Sequence, residues 1–287
     1  MNAELTSVLR ERLGVDKLRA RPVSGGDIND TYRLESSRGV FFVKTNTHAP
    51  PNLFPAEARG LEWLREAGVL RVPEVLVVSN PDEPFRYLVL EFIEPGRPAQ
   101  DFDDRLGRGL AALHRSGPPT FGLDHDNFIG SLPQSNETAP TWAEFYVSRR
   151  LEPQLRRAVA SGKASYAMRR GFERLFANMA ELVGAAEPPC RLHGDLWGGN
   201  LHIDGDGAPC LIDPAVYAGH REIDLAMMRL FGGFSERVFH AYAEAYPLAA
   251  GAEQRVALYQ LYPLMVHVNL FGGGYVASVE RALARYN

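Results

Sequence analysis

The chain has 287 residues, 45% of them hydrophobic and 23% charged, a composition ordinary for a soluble globular protein and a length sufficient for two lobes. Its net charge of −4 argues against a protein built to coat nucleic acid, and no run approaches the roughly 20 apolar residues of a membrane span. Charged residues interrupt the N-terminus, so no signal peptide is expected, and two cysteines are too few for a disulfide scaffold. We therefore expect a cytoplasmic protein with free thiols and neither a nucleic-acid nor a membrane partner.

The first 45 residues predict a short helix followed by a three-stranded meander. Apolar residues at helical spacing indicate the helix over residues 3–14. Apolar alternations at 21–23, 31–35 and 40–45, separated by turns, indicate three antiparallel strands. The Gly25-Gly26 turn could cover a triphosphate with backbone N–H groups, although most such turns only join strands.

Lys44 ends the third of these strands and has two possible interpretations. A lysine that emerges into solvent at a strand terminus is common. The alternative is a lysine that binds nucleotide phosphates, which requires an acidic partner on the next helix. The segment 55–67 predicts that helix and places Glu57 one turn from its start, with Glu62 as the second choice.

Two further strands are expected at 75–79 and 87–92, and a turn follows them. The pattern then becomes helical, beginning with 102–115. The polar loop 124–131 contains Asp126 and Asn127; a solvated turn is the simpler interpretation, and metal binding is the alternative. The sequence thus predicts a mixed chain with an N-terminal sheet lobe, residues 1–94, and a larger helical lobe, residues 95–287.

The stretch from Arg191 to Asn200 carries the strongest functional pattern. Asp195 and Asn200 are five residues apart on a glycine-rich turn, and an apolar strand delivers Asp213 thirteen residues after Asn200. An H-x-D-x-x-x-x-N loop followed by a second Asp is the catalytic arrangement of kinases. In that arrangement Asp195 receives the proton of the attacking hydroxyl, and Asn200 and Asp213 hold Mg²⁺ through hard oxygen atoms.

The loop His193-Gly194-Asp195-Leu196-Trp197-Gly198-Gly199-Asn200 resembles that of the fructosamine kinase, or ketosamine-3-kinase, family. The histidine, glycine, aspartate and asparagine are shared with the wider group of protein-kinase-like small-molecule kinases, and the Leu-Trp pair narrows the resemblance to the family. The resemblance extends from Gly25 to the last helix. It implies an α+β, two-lobed, protein-kinase-like fold with a small antiparallel-sheet N-lobe containing one main helix.

The resemblance also implies roles for the remaining candidates. Lys44, fixed by Glu57, holds the phosphates of ATP, and Glu91, Phe92 and Ile93 form the hinge whose backbone contacts adenine. The loop with Asp126 and Asn127 resembles a family segment that borders the sugar pocket, and the other candidate neighbours of the acceptor are Trp197, His220, Glu222 and His267. For Trp197, packing in the core is the alternative. For His267, in an apolar helix, a hydrogen-bonded core position is the simpler interpretation. Asp224, in contrast, is expected to support the catalytic loop by accepting its backbone hydrogen bonds.

The activity implied by the resemblance is ATP-dependent phosphorylation of the 3-hydroxyl of a ketosamine, such as a fructosamine or ribulosamine, free or protein-bound. Two alternatives remain. The same scaffold phosphorylates other alcohols in aminoglycoside and choline kinases, and a kinase-like fold can also bind nucleotide without catalysis. The physiological acceptor and the oligomeric state do not follow from the sequence.

Overall fold

The computed structural model describes residues 1–23 and 29–286, so Gly25 and Gly26 of the predicted phosphate-covering turn lie outside the described residues. The helices are α1 (Ala3–Leu13), α2 (Leu53–Arg65), α3 (Phe102–Arg115), α4 (Trp142–Phe145), α5 (Glu152–Ala160), α6 (Tyr166–Ala177), α7 (Met179–Leu182), α8 (Glu222–Phe231), α9 (Glu236–Ala245), α10 (Ala252–Phe271) and α11 (Tyr275–Leu283). The strands are β1 (Arg19–Pro22), β2 (Asp30–Ser36), β3 (Gly39–Thr45), β4 (Val75–Val78), β5 (Tyr87–Glu91), β6 (Asn127–Ile129), β7 (Leu132–Gln134), β8 (Cys190–Leu192), β9 (Leu201–Ile203), β10 (Pro209–Leu211) and β11 (Tyr217–Gly219). A π-helical segment, Tyr146–Leu151, joins α4 to α5, and 3₁₀ turns occur at Gly198–Asn200 and Ala284–Tyr286.

These elements form two compact units: Met1–Phe102 with Leu201–Pro214, and Asp103–Asn200 with Ala215–Asn287. The chain therefore leaves the second unit after Asn200, returns to the first for fourteen residues, and leaves it again. The division into an N-terminal lobe of residues 1–94 and a C-terminal lobe of residues 95–287 remains a prediction. The mixed fold with an N-terminal antiparallel sheet is confirmed.

The first unit is built on a five-stranded antiparallel sheet in the order β1-β2-β3-β5-β4. Strand β3 is central, and its Lys44 lies opposite Thr31 on β2 and Leu88 on β5. Helix α1 packs Leu5 and Leu9 into an apolar core with side chains from the sheet. Because β3 is paired on both sides, the position of Lys44 along the sheet is tightly fixed.

The β9–β10 hairpin belongs to this first unit although it follows the glycine-rich loop in sequence. The Gly96 N–H donates to Ile203 O at 2.9 Å, and the Leu211 N–H donates to Arg71 O at 2.9 Å. The approach at Gly96 is so close that a Cβ atom there would lie 2.0 Å from Asp204 O. The hairpin is thus joined to the segments before β4 and after β5, and Asp213 follows it within the first unit.

The second unit is mostly helical and has its own apolar core. Helix α10 is the longest at 20 residues, and most of its side chains are buried. A short antiparallel ladder between β8 and β11 sets Leu192 opposite Tyr217 and Cys190 opposite Gly219. This ladder fixes the backbone on which the glycine-rich loop begins.

Both cysteines are buried free thiols, as expected from their apolar neighbours in sequence. Burial raises the pKa of Cys190 and of Cys210 to about 12, so neither thiol ionises readily near neutral pH. In the part of the chain that the structure describes, no helix is long and apolar enough to cross a membrane.

Candidate active site

Lys44 lies buried in the first unit between two carboxylates. Its Nζ atom donates to Glu57 Oε1 at 2.6 Å and also to Asp213 Oδ1. Glu57 stands on α2 just past its first turn, and Asp213 follows the hairpin strand β10. The contact between Lys44 and Glu57 is the one expected from the sequence, whereas the contact between Lys44 and Asp213 was not predicted.

Electrostatics keep Lys44 charged in spite of its burial. Burial disfavours the ammonium form, but the charges and hydrogen bonds of Asp213 and Glu57 outweigh this effect and raise the pKa of Lys44. Burial also raises the pKa of Glu57, although the nearby ammonium opposes that rise. A buried cation thus stands ready to attract anionic oxygen atoms, as phosphate recognition requires.

Asp213 has a backbone conformation that is unusual for its residue type. Its φ angle is 55°, and within the described residues it is the one non-glycine position with positive φ. Aspartate tolerates this left-handed region better than most residues, but it still carries strain. The side chain remains 41% exposed even though it contacts the buried lysine. The carboxylate is therefore accessible to a ligand.

Asp195 and Asn200 meet in the second unit, on the glycine-rich loop. The Asn200 Nδ2 atom donates to the Asp195 backbone oxygen at 2.8 Å and to its Oδ2 atom at 3.1 Å. Because the amide nitrogen faces Asp195, the amide oxygen of Asn200 is directed elsewhere. Hard oxygen atoms of this kind suit Mg²⁺, and the Asp213 carboxylate in the first unit carries oxygen atoms of the same type. Across the described ranges, no group of three or more His, Cys, Asp or Glu side chains could hold a metal by itself.

The loop can adopt this shape only because residue 194 is glycine. Gly194 has φ of 81°, and a Cβ atom there would lie 2.1 Å from Ala215 O. Asp195 follows immediately, and its N–H donates to His193 Nδ1 at 3.2 Å. A side chain at position 194 would therefore displace the residue next to it, Asp195.

Asp224, at the start of α8, supports the loop as predicted. Its carboxylate is fully buried and accepts the N–H groups of His193 at 2.8 Å and Gly194 at 2.9 Å. His114 adds a third contact through Nε2 at 3.2 Å. Burial alone would raise the pKa of Asp224, but these hydrogen bonds and the nearby histidines lower it. The carboxylate thus remains ionised and anchors the loop backbone.

The predicted hinge residues lie at the end of β5 and just beyond it. Glu91 accepts a hydrogen bond from Arg71 Nη2 at 2.7 Å, and Arg71 Nη1 reaches Asp204 Oδ2 at 2.7 Å. The backbone oxygen of Ile93 accepts from His202 Nε2 at 3.2 Å. These hairpin contacts join residues more than a hundred positions apart, so no local sequence pattern predicts them. Contact of Glu91, Phe92 and Ile93 with adenine remains a prediction.

Three of the six candidate acceptor neighbours are exposed or partly exposed. Trp197 is 42% exposed, and its indole ring lies over Gly199, where a Cβ atom would be 2.2 Å from the ring. Asp126 is exposed and accepts the Asn136 N–H at 2.7 Å. His267 donates from Nδ1 to Pro263 O at 2.8 Å and packs against Phe231. The predicted hydrogen-bonded position of His267 is confirmed, although the residue is only partly buried.

The other three candidates are buried in polar contacts of the second unit. Glu222 forms a bidentate pair with Arg255 at 2.6 and 2.9 Å. His220 stacks on Tyr259, and burial lowers its pKa to about 4, so it is neutral at physiological pH. Asn127 donates to the Val216 backbone oxygen. These contacts give the three residues structural functions, and a substrate role for them stays only a prediction.

Comparison with known proteins finds similarity along the entire chain. A protein-family model described as Fructosamine kinase matches residues 1–287. A "probable ketoamine kinase" of Enterococcus faecium is 36% identical, over 92% of this chain and 94% of that protein. A chloroplastic protein-ribulosamine 3-kinase of Arabidopsis thaliana is 38% identical, over 97% of this chain and 86% of that protein.

Solved structures extend the comparison to the fold. A crystal structure named "putative fructosamine-3-kinase", from Thermobifida fusca, has a TM-score of 0.89 at 37% identity and covers 100% of this chain and 99% of its own. An aminoglycoside phosphotransferase has a TM-score of 0.62 at 17% identity, over 98% of this chain and 96% of its own. At that identity the second similarity concerns the fold alone.

Proposed function

The chain belongs to the fructosamine kinase family, and we propose that it transfers the γ-phosphate of ATP to the 3-hydroxyl of a ketosamine, such as a ribulosamine or fructosamine. The relatives named ketoamine kinase and ribulosamine 3-kinase support this acceptor class. The single observation that carries the proposal is the buried Lys44 ammonium held by Glu57 and Asp213. A buried charged group that contacts a partly exposed aspartate is typical of a functional site rather than of a structural core.

In the proposed reaction Asp195 orients the acceptor hydroxyl and takes its proton as the oxygen attacks the γ-phosphorus. A new O–P bond forms, the bond to the bridging oxygen breaks, and ADP leaves. The Asn200 contacts at 2.8 and 3.1 Å hold Asp195 in one orientation before the acceptor arrives. Such preorganisation is the main contribution that a protein makes to phosphoryl transfer.

Lys44 binds the ATP phosphates in this proposal, and Glu57 keeps its ammonium group in place. Since Lys44 contacts both carboxylates, a phosphate oxygen can replace one of them without leaving the cation unpaired. Asn200 and Asp213 would hold Mg²⁺, which neutralises phosphate charge when it is bound. Glu91, Phe92 and Ile93 would line the adenine, and Trp197 would lie against the apolar face of the sugar.

The test is ADP release from Mg-ATP with a panel of acceptors: a ribulosamine, a fructosamine, an aminoglycoside, choline and none. We expect acceptor-dependent release with the ketosamines and background release with the others. Release only with the aminoglycoside or choline would retain the kinase assignment and reject the ketosamine. Binding of ATP without acceptor-dependent release would reject the enzyme assignment.

A further inference from the structure

A chain of buried polar side chains in the second unit connects α10 to the backbone that follows Pro214. The Tyr262 hydroxyl donates to Gln134 Oε1 at 2.5 Å. Gln134 Nε2 donates in turn to Asn127 Oδ1 at 2.8 Å and to Ala215 O at 3.1 Å. Asn127 Nδ2 donates to Val216 O at 2.8 Å. The side chains thus hold two consecutive backbone carbonyl groups.

The network continues to the π-helical segment between α4 and α5. Asn136 Nδ2 donates to Asn127 Oδ1 at 3.0 Å, and Arg150 Nη2 donates to Asn136 Oδ1 at 2.6 Å. The guanidinium carbon of Arg150 lies 3.8 Å from the ring centroid of Tyr217. The side chains of this network are all buried. Burying so many polar groups is costly unless they are bonded to one another, and a bonded set permits essentially one arrangement.

The backbone held in this way lies directly against the loop that carries Asp195. The Ala215 N–H donates to His193 O at 2.9 Å, and Tyr217 pairs with Leu192 in the β8–β11 ladder. Ala215 O is also the atom that a side chain at Gly194 would strike. A displacement of Ala215 would therefore pass to the residues that immediately precede Asp195.

The charge of Asp195 also acts on the hydroxyl group of Tyr262. Burial is the main cause that raises the pKa of Tyr262, and the negative charge of Asp195 contributes in the same direction. The phenol therefore remains protonated and continues to donate its hydrogen bond to Gln134. The hydroxyl of Tyr262 holds the oxygen of the Gln134 amide, while Asn127 Oδ1 and Ala215 O accept from its nitrogen.

We propose that Tyr262 and Gln134 are positioning residues for Asp195. They fix the backbone of Ala215 and Val216, and through it the loop 193–195, at the geometry that the reaction requires. This inference rests on the proposed function for its kinetic consequence. Its structural consequence, a rigid backbone at residues 193–195 and 215–217, does not depend on the identity of the acceptor.

The test compares Tyr262→Phe and Gln134→Met with Tyr259→Phe as the matched control. Tyr259 lies on the same helix, is equally buried, and donates its hydroxyl to Val183 O at 3.0 Å, outside the network. We expect kcat with a ketosamine to fall about ten- to hundred-fold in the first two variants, the range for a small misplacement of a reacting group. The KM for ATP should stay within about two-fold of the wild-type value, since the network does not include Lys44 or Glu57.

Amide hydrogen exchange provides a readout that is independent of the reaction. Exchange at residues 193–195 and 215–217 should accelerate in Tyr262→Phe and Gln134→Met and remain slow in Tyr259→Phe. The proposal would be overturned if both network variants kept the wild-type kcat and the wild-type exchange rates. It would also be overturned if Tyr259→Phe changed kcat and exchange as much as the network variants do. If one network variant does not fold, the other decides the question. If the wild-type protein does not phosphorylate ketosamines, the proposed function fails and the exchange rates still test the positioning role.

Discussion

At the scale of single residues, the functional proposal depends most on Asp195. We predict that Asp195→Asn lowers kcat by about 10²–10⁴, because the amide cannot accept the proton of the acceptor hydroxyl. The KM for ATP should change little, since Lys44 and Glu57 are untouched. Steady-state kinetics with a ribulosamine measure both parameters. Asp206→Asn, on an exposed turn of the β9–β10 hairpin, is the control. Near-normal turnover in a folded Asp195→Asn protein would remove the base role from this residue.

Lys44 gives a second prediction, in which activity and stability change together. Lys44→Met removes the ammonium between two carboxylates and leaves Glu57 without its partner in a buried site. Breaking a buried ion pair in this way costs about 3–5 kcal/mol in free energy of unfolding. Losing a charged hydrogen bond to phosphate should lower kcat/KM for ATP at least ten-fold, equivalent to about 1.4 kcal/mol.

Urea unfolding and ATP kinetics check these two effects, with the exposed Lys17→Met as the control for loss of a positive charge. A Lys44→Met protein that keeps wild-type kcat/KM for ATP would show that the phosphates are bound elsewhere.

At the scale of elements, the glycine-rich loop depends on Gly194. Gly194→Ala places a methyl group in the left-handed region, at a cost of about 1–2 kcal/mol, and also against Ala215 O. We therefore expect a larger loss of unfolding free energy than at Gly68, which has a φ of 64° but no atom within 4 Å of an added Cβ. Turnover should fall about a hundred-fold or more in Gly194→Ala, because Asp195 moves, and stay near normal in Gly68→Ala. Thermal unfolding and kcat are measured for both variants. Equal losses of stability and of turnover in the two variants would show that backbone strain, and not the contact with Ala215 O, causes the effect.

Helix α8 contributes a pH-dependent prediction through Asp224. The folded-state pKa of this carboxyl is lowered below its unfolded value of about 3.9, so its ionised form stabilises the fold above that pH. This stabilisation is lost as the pH falls through the lowered folded-state pKa. The difference in unfolding free energy between wild type and Asp224→Asn should therefore be constant above about pH 5 and shrink below about pH 4. Urea titrations across pH 3–7 measure the difference, and one that does not vary with pH would contradict the assignment.

The sequence predicts elements well where their signals are local. The apolar periodicity of residues 102–115 places α3 with the bounds observed, and Lys44 pairs with Glu57 as the kinase-like order of motifs predicts. The β9–β10 hairpin pairs with Arg71 and Pro95, which precede it by more than a hundred residues. No local sequence pattern predicts that pairing. His220 and Glu222 were candidate acceptor neighbours because they are polar and near the loop. Their burial beside Tyr259 and Arg255 depends on how the chain after β11 packs against α10, which sequence spacing does not determine.

At the scale of the whole molecule, the order of residues along the chain differs from their distribution between the two units. Asp195 and Asn200 belong to the second unit, whereas Asp213, shortly after them in sequence, belongs to the first with Lys44. The residue proposed as the base and the residues proposed to bind phosphate therefore belong to different units. Its acceptor is a proposal supported by the family, and the expected cytoplasmic location remains a prediction.

The most direct test of the central claim is to identify the product formed from Mg-ATP and a peptide whose lysine carries a ribulosamine. Mass spectrometry and NMR of the purified peptide locate any phosphate that has been added. We predict one phosphate on the 3-hydroxyl of the sugar, none on the same peptide without the sugar, and none above background with Asp195→Asn. A peptide that remains unmodified under conditions where the protein binds ATP, or that carries phosphate elsewhere, would contradict the assignment as a ketosamine 3-kinase.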